Sequence, residues 1–181
     1  MPQFGQVYRT NPRVTVLRGY DPNEPTTLTQ HAPVQEGITI ESGQVISLSW
    51  NAVKGVDEWV LGCAPGVLPY IALQDYNEMI GSTGIGRDED VIEAGKLTGL
   101  SCAGDFEIET AHFDSEGTYN VDTPLTFDGV TGDVTVGTLG VDTILGFVTR
   151  NHGVKNLDRI NSGVDNKDVI SFQTNLTVVG A

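Results

Sequence analysis

Residues 119–149 read YNVDTPLTFDGVTGDVTVGTLGVDTILGFVT, and this stretch decides the fold class. Val121, Thr123, Leu125 and Phe127 alternate with Asp122, Pro124, Thr126 and Asp128, the period of a half-buried strand. Asp128-Gly129 and Gly132-Asp133 follow, residue types that tolerate the positive φ of tight turns. Val134 to Val136 and Thr143 to Thr149 then supply two more β-prone runs, so the unit reads strand, turn, strand, turn, strand. In the last run Ile144 and Val148 point one way and Leu145 and Phe147 the other. That strand is covered on both faces, as in a small barrel or at a subunit contact.

Composition extends the same reading outward. Val, Ile, Thr and Gly are frequent, prolines interrupt many stretches, and charged residues make up only 19% of the 181 positions. Short strands joined by turns fit this better than helices, and the length suits one domain with a core of its own. The expected class is all-β.

Upstream, Ile38 and Ile40 alternate with Thr39 and Glu41, Ser42-Gly43 supplies a turn, and Ile46, Leu48 and Trp50 alternate with Ser47 and Ser49. This predicts a hairpin opening the folded body. Trp59 to Leu73 is the most apolar region and is expected to run through the core, with Trp50 and Trp59 both assigned there. Asp88 to Leu97 places acids ahead of an apolar pair, as helix starts do, and predicts at most one short helix because Gly95 interrupts it. Phe106, Ile108 and Thr110 alternate with Glu107 and Glu109, and Ile170 to Val178 alternates in the same way, predicting two further strands.

Residues 1–36 read as an extended N-terminal arm, with residues 37–181 as the body. Pro2, Pro12, Pro22, Pro25 and Pro33 recur every few positions and exclude a helix or a long central strand. Within the arm, Arg13-Val14-Thr15-Val16-Leu17-Arg18 is a β-prone hexad flanked by arginines. It is either a strand that adds to the sheet edge of another protein or the first strand of the chain's own fold.

The net charge of −14 is unevenly spread. Residues 1–20 hold Arg9, Arg13 and Arg18 with no acid, whereas residues 21–181 hold seven basic and 24 acidic side chains, a balance of −17. An acidic body argues against nucleic acid as partner, since such affinity rests on clustered cations that neutralise phosphates. The start of the chain has neither the basic residues nor the apolar core of a signal peptide. No apolar run is long enough to span a bilayer, so a soluble protein made in a cytosol is expected, with no membrane partner. Cys63 and Cys102 lie in apolar or Gly-rich settings and read as buried free thiols.

No class of catalytic site emerges. There is no phosphate loop, and Gly81 to Gly86 lacks the dinucleotide-binding spacing. His31, His112 and His152 are far apart without zinc-ligand spacing. Asp88, Glu89, Asp90 and Glu93 form one acidic cluster and Asp158, Asp165 and Asp168 another. Neither follows the calcium-loop rhythm, and both read as solvated loop acids. Glu107 and Glu109 share one side of a strand but show no facing partner for glycoside chemistry. A non-enzyme without cofactor or metal is expected.

Several runs carry a resemblance. Pro69 to Asp75, Ala94 to Gly104 leading into Phe106 to Thr110, and Tyr119 to Thr126 followed by Ile144 to Thr149 resemble the capsid decoration proteins of tailed bacteriophages, also called cement or head-stabilising proteins. The likeness covers roughly residues 37–174. It implies a compact β-barrel or β-tulip-like body, usually a homotrimer, on the outer surface of the virion. There it would clamp neighbouring major capsid subunits, with an N-terminal arm pairing onto a capsid strand. Carried onto this chain, the capsid-binding arm is Arg9, Arg13, Val14, Val16, Leu17 and Arg18. The alternative is a carbohydrate- or receptor-binding β module on a virion surface, which an exposed aromatic platform would favour.

Overall fold

The alternations become strands wherever a partner strand covers one face. The computed structural model describes residues 8–11, 14–18, 29–64, 66–73, 96–151 and 169–178. Its strands are β1 (Tyr8–Asn11), β2 (Val14–Arg18), β3 (Thr29–Pro33), β4 (Val45–Asn51), β5 (Val56–Leu61), β6 (Tyr70–Ala72), β7 (Lys96–Ser101), β8 (Glu107–Thr110), β9 (Pro124–Phe127), β10 (Val134–Val136), β11 (Ile144–Arg150) and β12 (Ile170–Thr177). No helix occurs among the described residues, so none there is long and apolar enough to cross a membrane. The chain is all-β.

Two antiparallel sheets form. One has the order β1-β2-β8-β12-β11-β9-β10 and the other β3-β7-β6-β4-β5. Neither closes into a barrel. The second sheet curls until its edge strands meet at one parallel bridge, Val34 to Trp59, where the Gln35 N–H donates to the Trp59 carbonyl at 3.0 Å. Curling splits the interior in two. Val45, Ile71 and Leu100 face Ile108, Leu125, Leu145 and Phe172 of the first sheet, in the core between the layers. Ile46, Tyr70, Ala72 and Leu97 turn the other way and pack around Trp59 inside the curl. Both faces of β6 are therefore buried, which is why its region carries apolar residues at successive positions.

All three expected strands form but not as a meander, since β9 lies between β10 and β11 and those two do not pair. β9 pairs with β10 (Phe127 to Val134) and with β11 (Leu125 to Gly146). However, β9 begins at Pro124, because Asp122 adopts a left-handed φ of 66° and leaves Val121 exposed. The expected hairpin from Ile38 to Trp50 is not formed. Gly43, at φ 96°, donates its N–H to the Ala72 carbonyl, so the Ser42-Gly43 turn leads β4 to β5 and β6 instead. Of the predicted helix, residues 88–95 lie outside the described residues, while Lys96 and Leu97 open β7.

The first 36 residues do not stand apart where they are described. β2 pairs with β8, and β3 pairs with β7 along its whole length. Ala32 and Val34 are core residues, so the body starts at least as early as residue 29.

Candidate functional site

Three places bring polar or exposed groups together. The first is the strand pair at the start of the chain. β2 runs antiparallel to β8 with Val14 opposite Thr110, Thr15 opposite Glu109, Val16 opposite Ile108 and Arg18 opposite Glu107. β1 pairs with β2 and forms the outer edge of the sheet. Of the arm residues singled out from the sequence, Arg9 lies on β1 and Val14, Val16, Leu17 and Arg18 on β2, while Arg13 lies outside the described residues. Val14 to Arg18 of the hexad are thus a strand of the chain's own sheet, the second of the two possibilities its sequence left open.

Glu107 and Glu109 are both fully buried on β8, which alternation alone did not foretell. The Thr149 hydroxyl donates to Glu107 Oε1 at 3.2 Å, and Arg150 Nη2 lies 3.6 Å from the same oxygen. The Ser171 hydroxyl donates to Glu109 Oε1 at 2.9 Å. These contacts answer the cost of burying two carboxylates and tie β8 to β11 and β12. Such an arrangement positions strands. It presents no open pair of carboxyls to a sugar.

The second place is a seam between the sheets at His112. Its Nε2 lies 3.2 Å from Glu41 Oε2 and its Nδ1 lies 3.5 Å from Asp133 Oδ1, with the ring largely buried. Nε2 has no hydrogen bond, because the Glu41 oxygen is near but poorly aligned. Nearby, Tyr119 donates its hydroxyl to the Asp114 carbonyl at 2.7 Å and stacks edge-on against Phe113. Burial first, and then the charges of Asp114 and Asp133, push the Tyr119 phenol up to about 12. Separated by 71 positions, Glu41 and His112 carry no spacing signal that sequence reasoning could use.

The third place is the outer end of the β4–β5 hairpin. Trp50, expected in the core, is 63% exposed, whereas Trp59 is completely buried. The alternation is right and the conclusion wrong. Trp50 shares a face with Ile46 and Leu48, but β6 pairs only with Val45 and Ile46; Leu48 still packs against the core around Trp59, whereas Trp50, two residues further out, lies in solvent. At the tip the Asn51 side-chain oxygen accepts from the N–H groups of Val53 (3.0 Å) and Lys54 (3.1 Å). The Asn51 amide and Lys54 Nζ both donate to Glu58 at 2.8 Å. The Asn51 amide chiefly, with Lys54, holds the Glu58 carboxyl below the usual glutamate range.

The remaining sequence candidates disperse. His31 Nδ1 meets Thr98 Oγ1 at 3.0 Å across β3 and β7. Both acidic clusters, Gly81 to Gly86 and His152 lie outside the described residues. Among the described residues, no group of three or more His, Cys, Asp or Glu is placed to hold a metal ion. Cys63 and Cys102 are buried free thiols. No protein-family model, curated protein or solved structure matches the chain.

Proposed function

We propose that this chain is a structural capsid decoration protein of a tailed phage. It binds the outer surface of the head as a homotrimer, clamps neighbouring major capsid subunits and performs no reaction. One observation carries the reading: the most basic segment of an otherwise acidic chain supplies the edge strand β1, whose outer main-chain groups face away from β2. Because β2 pairs within the chain, β1 rather than the hexad is the strand that meets a capsid subunit.

Four residues of strand pairing give about four hydrogen bonds of about 1 kcal/mol net each, against ordering costs of about 1–2 kcal/mol per residue. One such contact is near break-even. Three contacts on a trimer act at high effective concentration and hold firmly. The test is co-sedimentation with heads of the phage that encodes the chain. Removing residues 2–11 deletes β1 alone and is expected to abolish binding while the body stays folded. Full binding by that variant would refute the proposal. Removing residues 2–18 is a poorer control, since it also strips β2 from β8 and uncovers two buried glutamates.

A second reading, the carbohydrate- or receptor-binding module, is favoured by the exposure of Trp50. A glycan screen separates the two: bound sugar with no affinity for heads supports the module.

A further inference from the structure

The β4–β5 hairpin projects beyond its sheet. β6 accompanies β4 only as far as Ile46, and the two strands continue as a ribbon from Leu48 to Glu58. Main-chain direction along β4 follows from two bonds. The Ala72 N–H donates to the Gln44 carbonyl, on the β6 side. The Gly62 N–H donates to the Val45 carbonyl, on the β5 side. Since alternate residues turn their N–H and C=O to opposite sides, Ile46, Leu48 and Trp50 all face the β6 side. Ile46 meets Tyr70 there. Among the described residues no strand reaches Leu48 or Trp50, because the chain before Tyr70 turns away through Ala64 to Val67. Two residues of one strand edge are open to pairing.

Chemistry beside this edge selects what pairs. Trp50 stands directly opposite Asp57, in the non-hydrogen-bonded kind of pair that brings side chains closest. Asp57 is exposed and Glu36 lies 3.9 Å from Lys54, whose ammonium is already engaged by Glu58 at 2.8 Å. Glu36 and Glu58 thus share one ammonium, and Asp57 adds a third carboxylate to the same end of the hairpin. Val53, 96% exposed at the tip, adds an apolar contact. We propose that the outer end of the β4–β5 hairpin docks an extended, arginine-bearing segment of a partner protein. The segment adds to the open edge of β4 at Leu48 and Trp50, and one guanidinium lies over the Trp50 ring and reaches Asp57. The surrounding acids disfavour the acidic body of a second copy of this chain at the same spot, and likewise an anionic lipid surface. The site stands on its own geometry, whatever the capsid reading proves to be.

The probe is a fluorescently labelled, terminally blocked hexapeptide alternating arginine and valine, titrated with the full chain and followed by anisotropy. Saturable binding that weakens in 0.5 M salt is expected, and a peptide with glutamate in place of arginine should not bind. Trp50→Ser and Asp57→Asn should each weaken binding about two- to fivefold. Both side chains are exposed, so unchanged circular dichroism and urea midpoints will show that these variants fold. N-methylating the peptide's main chain keeps its charge and removes its strand-forming donors; loss of binding is expected. Equal binding of the N-methylated or glutamate peptide, or no binding at millimolar concentration, would overturn the proposal. So would a glycan that needs Trp50 while the peptide does not bind.

Discussion

At Gly99 an added methyl group would lie 2.6 Å from Trp59 Cη2 and 2.8 Å from Cζ2. The indole is fixed from its other end by a 2.8 Å hydrogen bond from Nε1 to the Leu97 carbonyl and by edge-on contact with Tyr70. It has no room to retreat. Gly99→Ala is expected to cost about 1–3 kcal/mol, read as a lower urea midpoint at unchanged slope. Glu58 gives a pH prediction. Its carboxyl is lowered in the folded state by Asn51 and then Lys54, so the unfolded chain takes up the proton first as pH falls. The stabilisation is complete above the ordinary glutamate value of about 4.3 and is lost as pH drops below it through the folded value. Urea midpoints measured between pH 7 and pH 3 should fall less steeply for Glu58→Gln than for the parent chain.

Among the elements, the β4–β5 ribbon and β8 show opposite ways of placing polar residues. The ribbon leans on Asn51, whose carboxamide caps the turn and binds Glu58, because a two-stranded piece lacks the burial to hold itself. Asn51→Ala should cost about 1–2 kcal/mol locally, seen as faster amide exchange from Trp50 to Glu58 while the exchange of β11 and β12 stays unchanged. β8 instead is interior, flanked by β2 and β12, and its glutamates are held from both β11 and β12. β11 itself needs Gly146, since any side chain there would run into the Gln173 carbonyl of β12.

For the whole molecule, the two cysteines meet different fates on opening. Cys102 belongs to the core between the sheets, and burial chiefly, with the nearby Cys63, pushes its thiol far up from its ordinary value. Its labelling by a thiol reagent requires the layers to separate. Native-state labelling of Cys102 should therefore track global unfolding in urea, with no faster phase. Cys63, at the margin of the fold with its Sγ 3.1 Å from the Val67 carbonyl, should label sooner. Alternation in the sequence named β4 but could not divide the two cores, because Val45 and Ile46 are equally apolar and only the curl of the second sheet sends them to separate interiors.

By itself the sequence determined the all-β class, the strands β9, β10 and β11 though not their order in the sheet, the closing strand β12, the buried free thiols and the polarity of a basic start on an acidic body. All of these follow from local period, turn chemistry and composition. What only the tertiary structure decided was coverage. It paired β2 with β8, drew β3 into the second sheet, buried Glu107 and Glu109, and joined Glu41 to His112 and Asp133. It also left Trp50 in solvent at the end of a strand whose neighbour stops four residues earlier. Periodicity states which side of a strand is apolar, whereas burial depends on whether another strand reaches that far.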